Sequence, residues 1–338
     1  MKDFVNWAVL APGNIANAMA RAMNSPNEKI RRYAVASRDA GRAESFAEKY
    51  GFEKSYGSYE ELLSDPQVDA VYVSNPHAFH FDSVMKCLES GKHVLCEKPA
   101  GCNGVQLNQM IEKARSKNLF FMEAMWTAFN PCIGKIKECI ANGAIGNVLH
   151  VLSYFCNKND FDPKSRLWAP EMAGGALLDV GIYNIYFSML MNDFVPAVNY
   201  GSNVRFQNSV DAWESVSLVF ENRVTAIFES AVGLPFYHEE HDAFIYGSKG
   251  FIKVKDFFMA QKAEIHLYPS RKAGSKRTEI IEAPFRVNGY EYELEEATEC
   301  ILNGKTESSV YPHSHSVQLC GIMDDLRRKW NFKYPFEE

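Results

Sequence analysis

The first 124 residues alternate short apolar runs, at 5–10, 33–37, 70–74, 93–97 and 119–123, with amphipathic stretches at 14–23, 41–50, 79–89 and 104–116. Few folds accept that rhythm. A short run that is apolar at successive positions is buried on both faces, as in a parallel sheet, and a parallel neighbour is reached only through a crossover, normally a helix. Crossovers of one hand place helices on both faces of the sheet, so residues 1–124 are expected to form a doubly wound α/β domain.

The rhythm changes after Trp126. A helix is expected at 131–141, a strand at 148–155 and a second helix at 176–191, behind Gly174-Gly175. Strands at 215–219, 224–230, 243–246 and 251–254 are separated by the turn sequences Glu221-Asn222 and Gly247-Ser248-Lys249-Gly250, and helical periodicity returns at 290–302 and 314–330. Residues 125–338 are therefore expected to form one α+β domain around a large, mostly antiparallel open sheet. Two domains also suit a chain of 338 residues, which is too long for one ordinary core.

Composition excludes several classes. With 46% apolar and 23% charged residues the chain reads as globular. A net charge of -6 with no run of Lys and Arg argues against a nucleic-acid partner. No apolar stretch reaches the about 18 residues of a membrane span, and Met1-Lys2-Asp3-Phe4 lacks the order of a signal peptide, so a cytoplasmic location is expected. The eight cysteines form no C-x-x-C pair and read as reduced, mostly buried thiols. His238-Glu239-Glu240-His241 lacks the i, i+4 spacing that sets two imidazoles on one helix face, and no metal site is expected.

The first strand is followed by Ala11-Pro12-Gly13-Asn14-Ile15-Ala16, which opens the first helix. That is where a dinucleotide-binding Rossmann loop has physical meaning: Gly13 lets the backbone approach a pyrophosphate, Ala16 lets the helix pack closely on the strand, and the helix amino terminus stabilises the anion. Ala11 replaces the usual first glycine. The second strand ends in Ser37-Arg38-Asp39, where a carboxylate would accept the ribose hydroxyls of NAD. A hydroxyl and a guanidinium fork suit the 2'-phosphate of NADP instead, with NAD through Asp39 as the alternative. The third strand ends in Ser74-Asn75-Pro76-His77-Ala78-Phe79-His80, at the carboxyl edge where ligands of open α/β sheets bind.

A lysine leaves the end of a buried strand at Cys96-Glu97-Lys98-Pro99. Together with Gly13-Asn14-Ile15-Ala16, Asn75-Pro76 and Gly91-Lys92-His93-Val94, this closely resembles the glucose-fructose oxidoreductase, inositol dehydrogenase and MocA family over essentially the whole chain. Met122-Glu123-Ala124-Met125-Trp126-Thr127 and the run from Gly174-Gly175-Ala176 to Asp179-Val180-Gly181-Ile182-Tyr183 resemble its dimeric dihydrodiol dehydrogenase and D-xylose dehydrogenase branch. The resemblance implies Lys98, Asp179 and Tyr183 at the catalytic centre, His77 and His80 near the nicotinamide, and Glu97 and Lys98 among the cofactor contacts. It further implies a homodimer or homotetramer assembled through the second domain's sheet. Ala128 departs from the pattern, where arginine is expected after Met-Trp-Thr.

The residue chemistry agrees with that trio. Asp179 and Tyr183, four apart, share one face of the expected helix. A hydride leaving an alcohol carbon requires the hydroxyl proton to leave as well. Tyr183 is the expected acid/base; a phenol titrates near about 10, and the Lys98 ammonium would favour its phenolate. The reverse assignment, with a desolvated Lys98 as base, is also open. Trp126, Phe155 and Trp168 are candidate apolar walls for a sugar, polyol or dihydrodiol. Two alternatives remain: a glycoside hydrolase with tightly held dinucleotide, and a non-catalytic dinucleotide sensor.

Overall fold

The computed structural model describes residues 2–233, 241–268 and 277–337. The chain divides into two compact units, Met1–Ala128 with Arg286–Cys320, and Phe129–Phe285 with Gly321–Glu338.

The first unit is a six-stranded parallel sheet of order β3-β2-β1-β4-β5-β6, with β1 at Val5–Leu10, β2 at Ile30–Ala36, β3 at Lys54–Tyr56, β4 at Ala70–Val73, β5 at His93–Glu97 and β6 at Phe121–Ala124. Every residue of β1 is buried, which is why its sequence is apolar without alternation. Strand order reverses between β1 and β4, so the carboxyl ends of these neighbours form the topological switch point. The crossovers are α1 (Asn14–Ala22), α2 (Ala40–Tyr50), α3 (Tyr59–Ser64), α4 (His80–Glu89) and α5 (Gly104–Ser116). Side chains of Asp39, Ser58 and Asn103 cap α2, α3 and α5 by accepting from backbone N–H groups in the first turn.

The expectation of one continuous second domain over 125–338 needs correction, because residues 286–320 belong to the first unit. Helix α8 (Tyr290–Leu302) buries Leu294, Ala297 and Thr298, and the Thr298 hydroxyl accepts from Trp7 Nε1 at 3.0 Å. Tyr311 donates its hydroxyl to Glu123 at 2.7 Å, and the Phe121 N–H donates to the Thr306 carbonyl at 3.1 Å. Helical periodicity marked these residues as an amphipathic element, but periodicity does not say which sheet an apolar face will cover.

The second unit is an eight-stranded sheet of order β14-β13-β12-β11-β7-β10-β9-β8. Its strands are β7 (Val148–Cys156), β8 (Ala197–Gln207), β9 (Val210–Phe220), β10 (Thr225–Ala231), β11 (Ala243–Gly247), β12 (Gly250–Val254), β13 (Lys262–Leu267) and β14 (Arg277–Glu282). All pairings are antiparallel except that of β7 with β10. Helices α6 (Pro131–Ala141) and α7 (Ile182–Leu190) belong to this unit, and α9 (His313–Lys329) runs from one unit into the other. On one sheet face Tyr246, Ile227 and Ile280 are exposed, and Tyr246 stacks on His150 and contacts Phe251, which stacks on His266. The edge strands β8 and β3 were not expected from sequence. In β8 Val198, Tyr200, Val204 and Phe206 alternate with Asn199, Gly201, Asn203 and Arg205, a period-two pattern weakened by Gly201-Ser202 at its centre, and β3 is only three residues long.

Candidate functional site

In the first unit the candidate residues gather at the carboxyl ends of β1, β2, β4 and β5. Ala11 adopts a left-handed φ of 69°, the conformation for which glycine is the usual choice. The turn is fixed by its neighbours: the Ala11 N–H donates to the Ala36 carbonyl at 3.0 Å, and the Ser74 hydroxyl lies 3.1 Å from both the Leu10 and Ala11 carbonyls. Gly13 caps α1 without a side-chain bond, and a Cβ built there would meet only the Ala11 and Ser74 carbonyl oxygens, at 3.9 Å. The turn therefore leaves clear space over the Gly13 backbone, at a helix amino terminus, as an incoming pyrophosphate requires. Pro12 is buried, Ile15 half-buried and Asn14 exposed.

At the end of β2, Ser37 is buried and accepts from the Asp39 N–H at 3.2 Å, while Arg38 is exposed. Asp39 Oδ1 accepts from the Arg42 N–H at 3.1 Å, so part of that carboxylate is engaged in capping α2. Arg42 was not a sequence candidate. Its Nε donates to the Pro12 carbonyl at 3.1 Å, and it and Arg38 both act on the Tyr59 hydroxyl, which burial pushes up and these two cations pull back. A guanidinium one turn into the next helix carried no signal in a motif read at the strand end.

Past β4, Asn75 Nδ2 donates to the Ser83 hydroxyl at 2.8 Å, and the Pro76 carbonyl accepts from the Phe79 N–H at 2.9 Å at the start of the turn His77–Phe79. His80 is fully buried, with Nδ1 2.7 Å from the Pro99 carbonyl and Nε2 2.7 Å from the Asn75 carbonyl, so it braces the β4 loop against the β5 loop. His77 is buried beside it, with ring centroids 5.7 Å apart. Lys98 is half-buried, precedes a cis bond to Pro99, and donates its N–H to Glu97 at 3.2 Å. Glu97 accepts the Tyr72 hydroxyl. Glu123, on β6, accepts from the Ala100 N–H at 2.8 Å and from Tyr311; burial pushes it up, and the charge of Lys98 is among the influences pulling it down. Trp126 stacks on Tyr290 with centroids 4.2 Å apart.

In the second unit the expected helix at 176–191 is two elements: a π-helical turn over Leu177–Gly181, followed by α7. Asp179 lies within the turn and Tyr183 in the first turn of α7, both almost fully buried. The wider winding follows from anchors outside the segment. Gly175 has a φ of +116°, and the Leu177 N–H donates to Asp211 Oδ2 at 2.6 Å. Such turns inside helices recur at functional sites. Asp179 Oδ1 receives Arg166 Nη1 at 3.0 Å. The Tyr183 ring lies 5.6 Å from both Phe155 and Phe258, which are 4.3 Å from each other. His241 packs on Phe155 at 4.5 Å, with Nε2 3.0 Å from Asn157 Oδ1 and Nδ1 3.4 Å from Asp256. Sequence reasoning found Phe155 but not Arg166, Phe258 or His241, since nothing local ties them to Asp179 or Tyr183. Trp168, 1% exposed, is packed edge-on to Phe161 at 5.2 Å and closely against Gly233.

Of the His238–His241 run, only His241 lies within the described residues. Among the described residues no group of three or more His, Cys, Asp or Glu is arranged to hold a metal ion, and no helix is long and apolar enough to cross a membrane. Seven of the eight cysteines are buried and Cys139 is half-buried.

A family model described as an oxidoreductase family with an NAD-binding Rossmann fold matches residues 5–125, and one described as the GFO/IDH/MocA C-terminal domain matches residues 133–253. The chain is 33% identical over 337 residues to trans-1,2-dihydrobenzene-1,2-diol dehydrogenase of Mus musculus, covering 98% of each chain. It is 31% identical to the Homo sapiens enzyme of the same name over 338 residues, again 98% of each. Among solved structures, levoglucosan dehydrogenase in complex with NADH superimposes with a TM-score of 0.85 at 18% identity, covering 98% of this chain and 99% of that one. A 3-ketoreductase from Actinomadura kijaniata in complex with NADP and TDP-benzene does so with a TM-score of 0.85 at 22% identity, covering 96% and 97%.

Proposed function

The chain belongs to the GFO/IDH/MocA oxidoreductase family, and from that premise we propose that it moves a hydride between NADP(H) and the hydroxyl-bearing or carbonyl carbon of a cyclic dihydrodiol, sugar or polyol. The observation that carries the reading is the 33% identity with the mouse dihydrobenzenediol dehydrogenase over 98% of both chains. A bound nicotinamide dinucleotide supplies the hydride donor or acceptor. The chain's own residues do the rest.

Ala11, Pro12, Gly13, Asn14 and Ile15 shape the pyrophosphate turn, and the open space at the Gly13 Cβ position supports that fit. Two guanidiniums, Arg38 and Arg42, acting on the same tyrosine hydroxyl support a site for the 2'-phosphate, as does the engagement of Asp39 in capping. Ser37 adds a hydroxyl. Ser74, Asn75, Pro76, His77, His80 and Glu97 would hold the nicotinamide end.

Tyr183 gives or takes the substrate proton, and the aromatic bed of Phe155 and Phe258 fixes its ring. Lys98 supplies a cation for a substrate oxygen. Asp179, oriented by Arg166, accepts from a substrate hydroxyl. Trp126 and Phe155 supply apolar wall. The exposed face bearing Ile227, Tyr246 and Ile280 is the proposed surface for a homodimer or homotetramer.

The test is turnover by the full chain with NADP+ or NAD+ against trans-dihydrodiols, aldoses and polyols, followed as reduced-nicotinamide absorbance. Lys98→Met and Tyr183→Phe are expected to abolish turnover and keep NADPH binding; unchanged activity in both sinks the assignment. Substrate cleavage without net cofactor reduction would replace it with a hydrolase.

A further inference from the structure

The π-turn that carries Asp179 rests on two acids that no motif marks. Asp211 and Glu214 stand three apart on β9, a spacing that would send them to opposite faces of a regular strand. Pairing of β8 with β9 shifts register between Arg205, opposite Trp213, and Phe206, opposite Asp211. The bulge inserts Ala212 as an extra residue, and both carboxyls then fall on the buried face, fully enclosed. There they meet the turn at both ends. Asp211 Oδ2 takes the Leu177 N–H at 2.6 Å, and a Cβ at Gly175 would stand 2.1 Å from Asp211 Oδ1. A Cβ at Gly181 would stand 2.7 Å from Glu214 Oε1 and 3.1 Å from the Ser230 hydroxyl. Glycine is thus required wherever the turn approaches the pair.

We propose that Asp211 and Glu214 are positioning residues for the hydride-transfer site: they clamp the turn Leu177–Gly181 at its two glycine contacts and thereby set Asp179 and the first turn of the Tyr183 helix. The proposal rests on the reading of Asp179 and Tyr183 as the groups that act on substrate. It also gives the clamp a pH dependence. Burial pushes Asp211 up to about 7, against the N–H groups of Leu177, Asp211 and Ala176 and the charge of Arg327 from α9. Arg327 is itself paired with Glu337 and Asp324. Burial and the Asp211 charge raise Glu214 well above the ordinary carboxylate range, with the Ser230 hydroxyl from β10 opposing. Since the folded value of Asp211 lies above its solvated one, the charged form favours any opening of the turn that hydrates the carboxyl, although the Leu177 N–H bond itself is stronger to the ionised group. Such opening is opposed most below about pH 4 and progressively less as pH rises to about 7.

Amide hydrogen exchange of a peptide spanning 175–184 in the full chain, corrected for intrinsic rate, reads this directly. Protection is expected to fall by up to about tenfold per pH unit between about pH 5 and pH 7, then level off. Asp211→Asn keeps an acceptor for the Leu177 N–H and should be flat with pH; Asp211→Ala should lose at least about tenfold in protection and lower kcat for trans-1,2-dihydrobenzene-1,2-diol with NADP+, with the NADPH Kd unchanged. Glu214→Gln should retain protection and Glu214→Ala should lose it at 181–184. A flat wild-type profile, or pH dependence surviving in Asp211→Asn, overturns the proposal even where Asp211→Ala fails to fold. Lost protection with unchanged kcat overturns the positioning role. Exchange needs no turnover, so an inactive wild type with the expected profile refutes the hydride-transfer reading and supports the clamp.

Discussion

Gly13→Ala separates what the fold needs from what the ligand needs. The Gly13 φ of -98° is open to any L-residue, and the new methyl would meet two carbonyl oxygens at 3.9 Å, an ordinary contact. Folding should therefore be unharmed, and restriction of the unfolded chain adds about 0.4–1 kcal/mol of stability. A pyrophosphate lying on the Gly13 backbone would instead meet the methyl directly. Overpacking of that kind costs about 1–3 kcal/mol, which corresponds to about 5- to 150-fold in Kd. NADPH titration by calorimetry, beside urea unfolding of the same two proteins, measures both quantities. An unchanged Kd at unchanged stability would refute the placement of the pyrophosphate. A loss of more than about 1 kcal/mol of stability would refute the claim that the space is clear.

Arg38→Ala and Arg42→Ala should each weaken NADPH by about 10- to 100-fold through loss of a charge-assisted bond while leaving NADH nearly unchanged; equal losses for both cofactors in a binding titration would return the site to NAD. Gly175→Ala should destabilise the second unit by about 2–5 kcal/mol in urea unfolding, from left-handed strain of about 1–2 and overpacking of about 1–3, and adding Asp211→Ser should relieve the second part alone. Glu291 accepts backbone N–H bonds from Val287, Asn288 and Gly289 at 2.9, 3.1 and 2.7 Å, and although burial pushes it up, these bonds hold it below its ordinary value. Its contribution is present above the unfolded value of about 4.3 and lost as pH falls through the lower folded value, so urea midpoints below about pH 5 should decline less in Glu291→Gln than in the wild type.

The first unit was legible because its signals are local. The limits of β1 and β5 are those expected from their apolar runs, since a strand buried on both faces prints its burial in consecutive letters. The sequence marks Ser74 as the end of a strand and Gly13 as part of the loop that follows one. The α8 region was read correctly as a helix and assigned to the wrong unit, because the Thr298–Trp7 bond joins residues 291 apart in sequence. In the second unit the edge strand β8 does carry a period-two pattern, Val198, Tyr200, Val204 and Phe206 against Asn199, Gly201, Asn203 and Arg205, broken at its centre by Gly201-Ser202.

Asp179 and Tyr183 show where such reading stops. Their spacing of four suggested a shared helical face, yet a turn of wider winding separates them, and the sequence between them, Val180-Gly181-Ile182, contains nothing that forbids an ordinary helix. What widens the turn is an acceptor 34 residues away, Asp211, reaching the Leu177 N–H, and a glycine at 175 that permits the approach. A buried carboxyl is expensive unless hydrogen-bonded or protonated; Asp211 meets part of that cost with the Leu177 N–H, and the segment from 175 to 181 approaches both carboxyls closely. The glycines at 175 and 181 are that arrangement's visible half; read with the bulge in β9, they locate the turn that either letter pattern alone would miss.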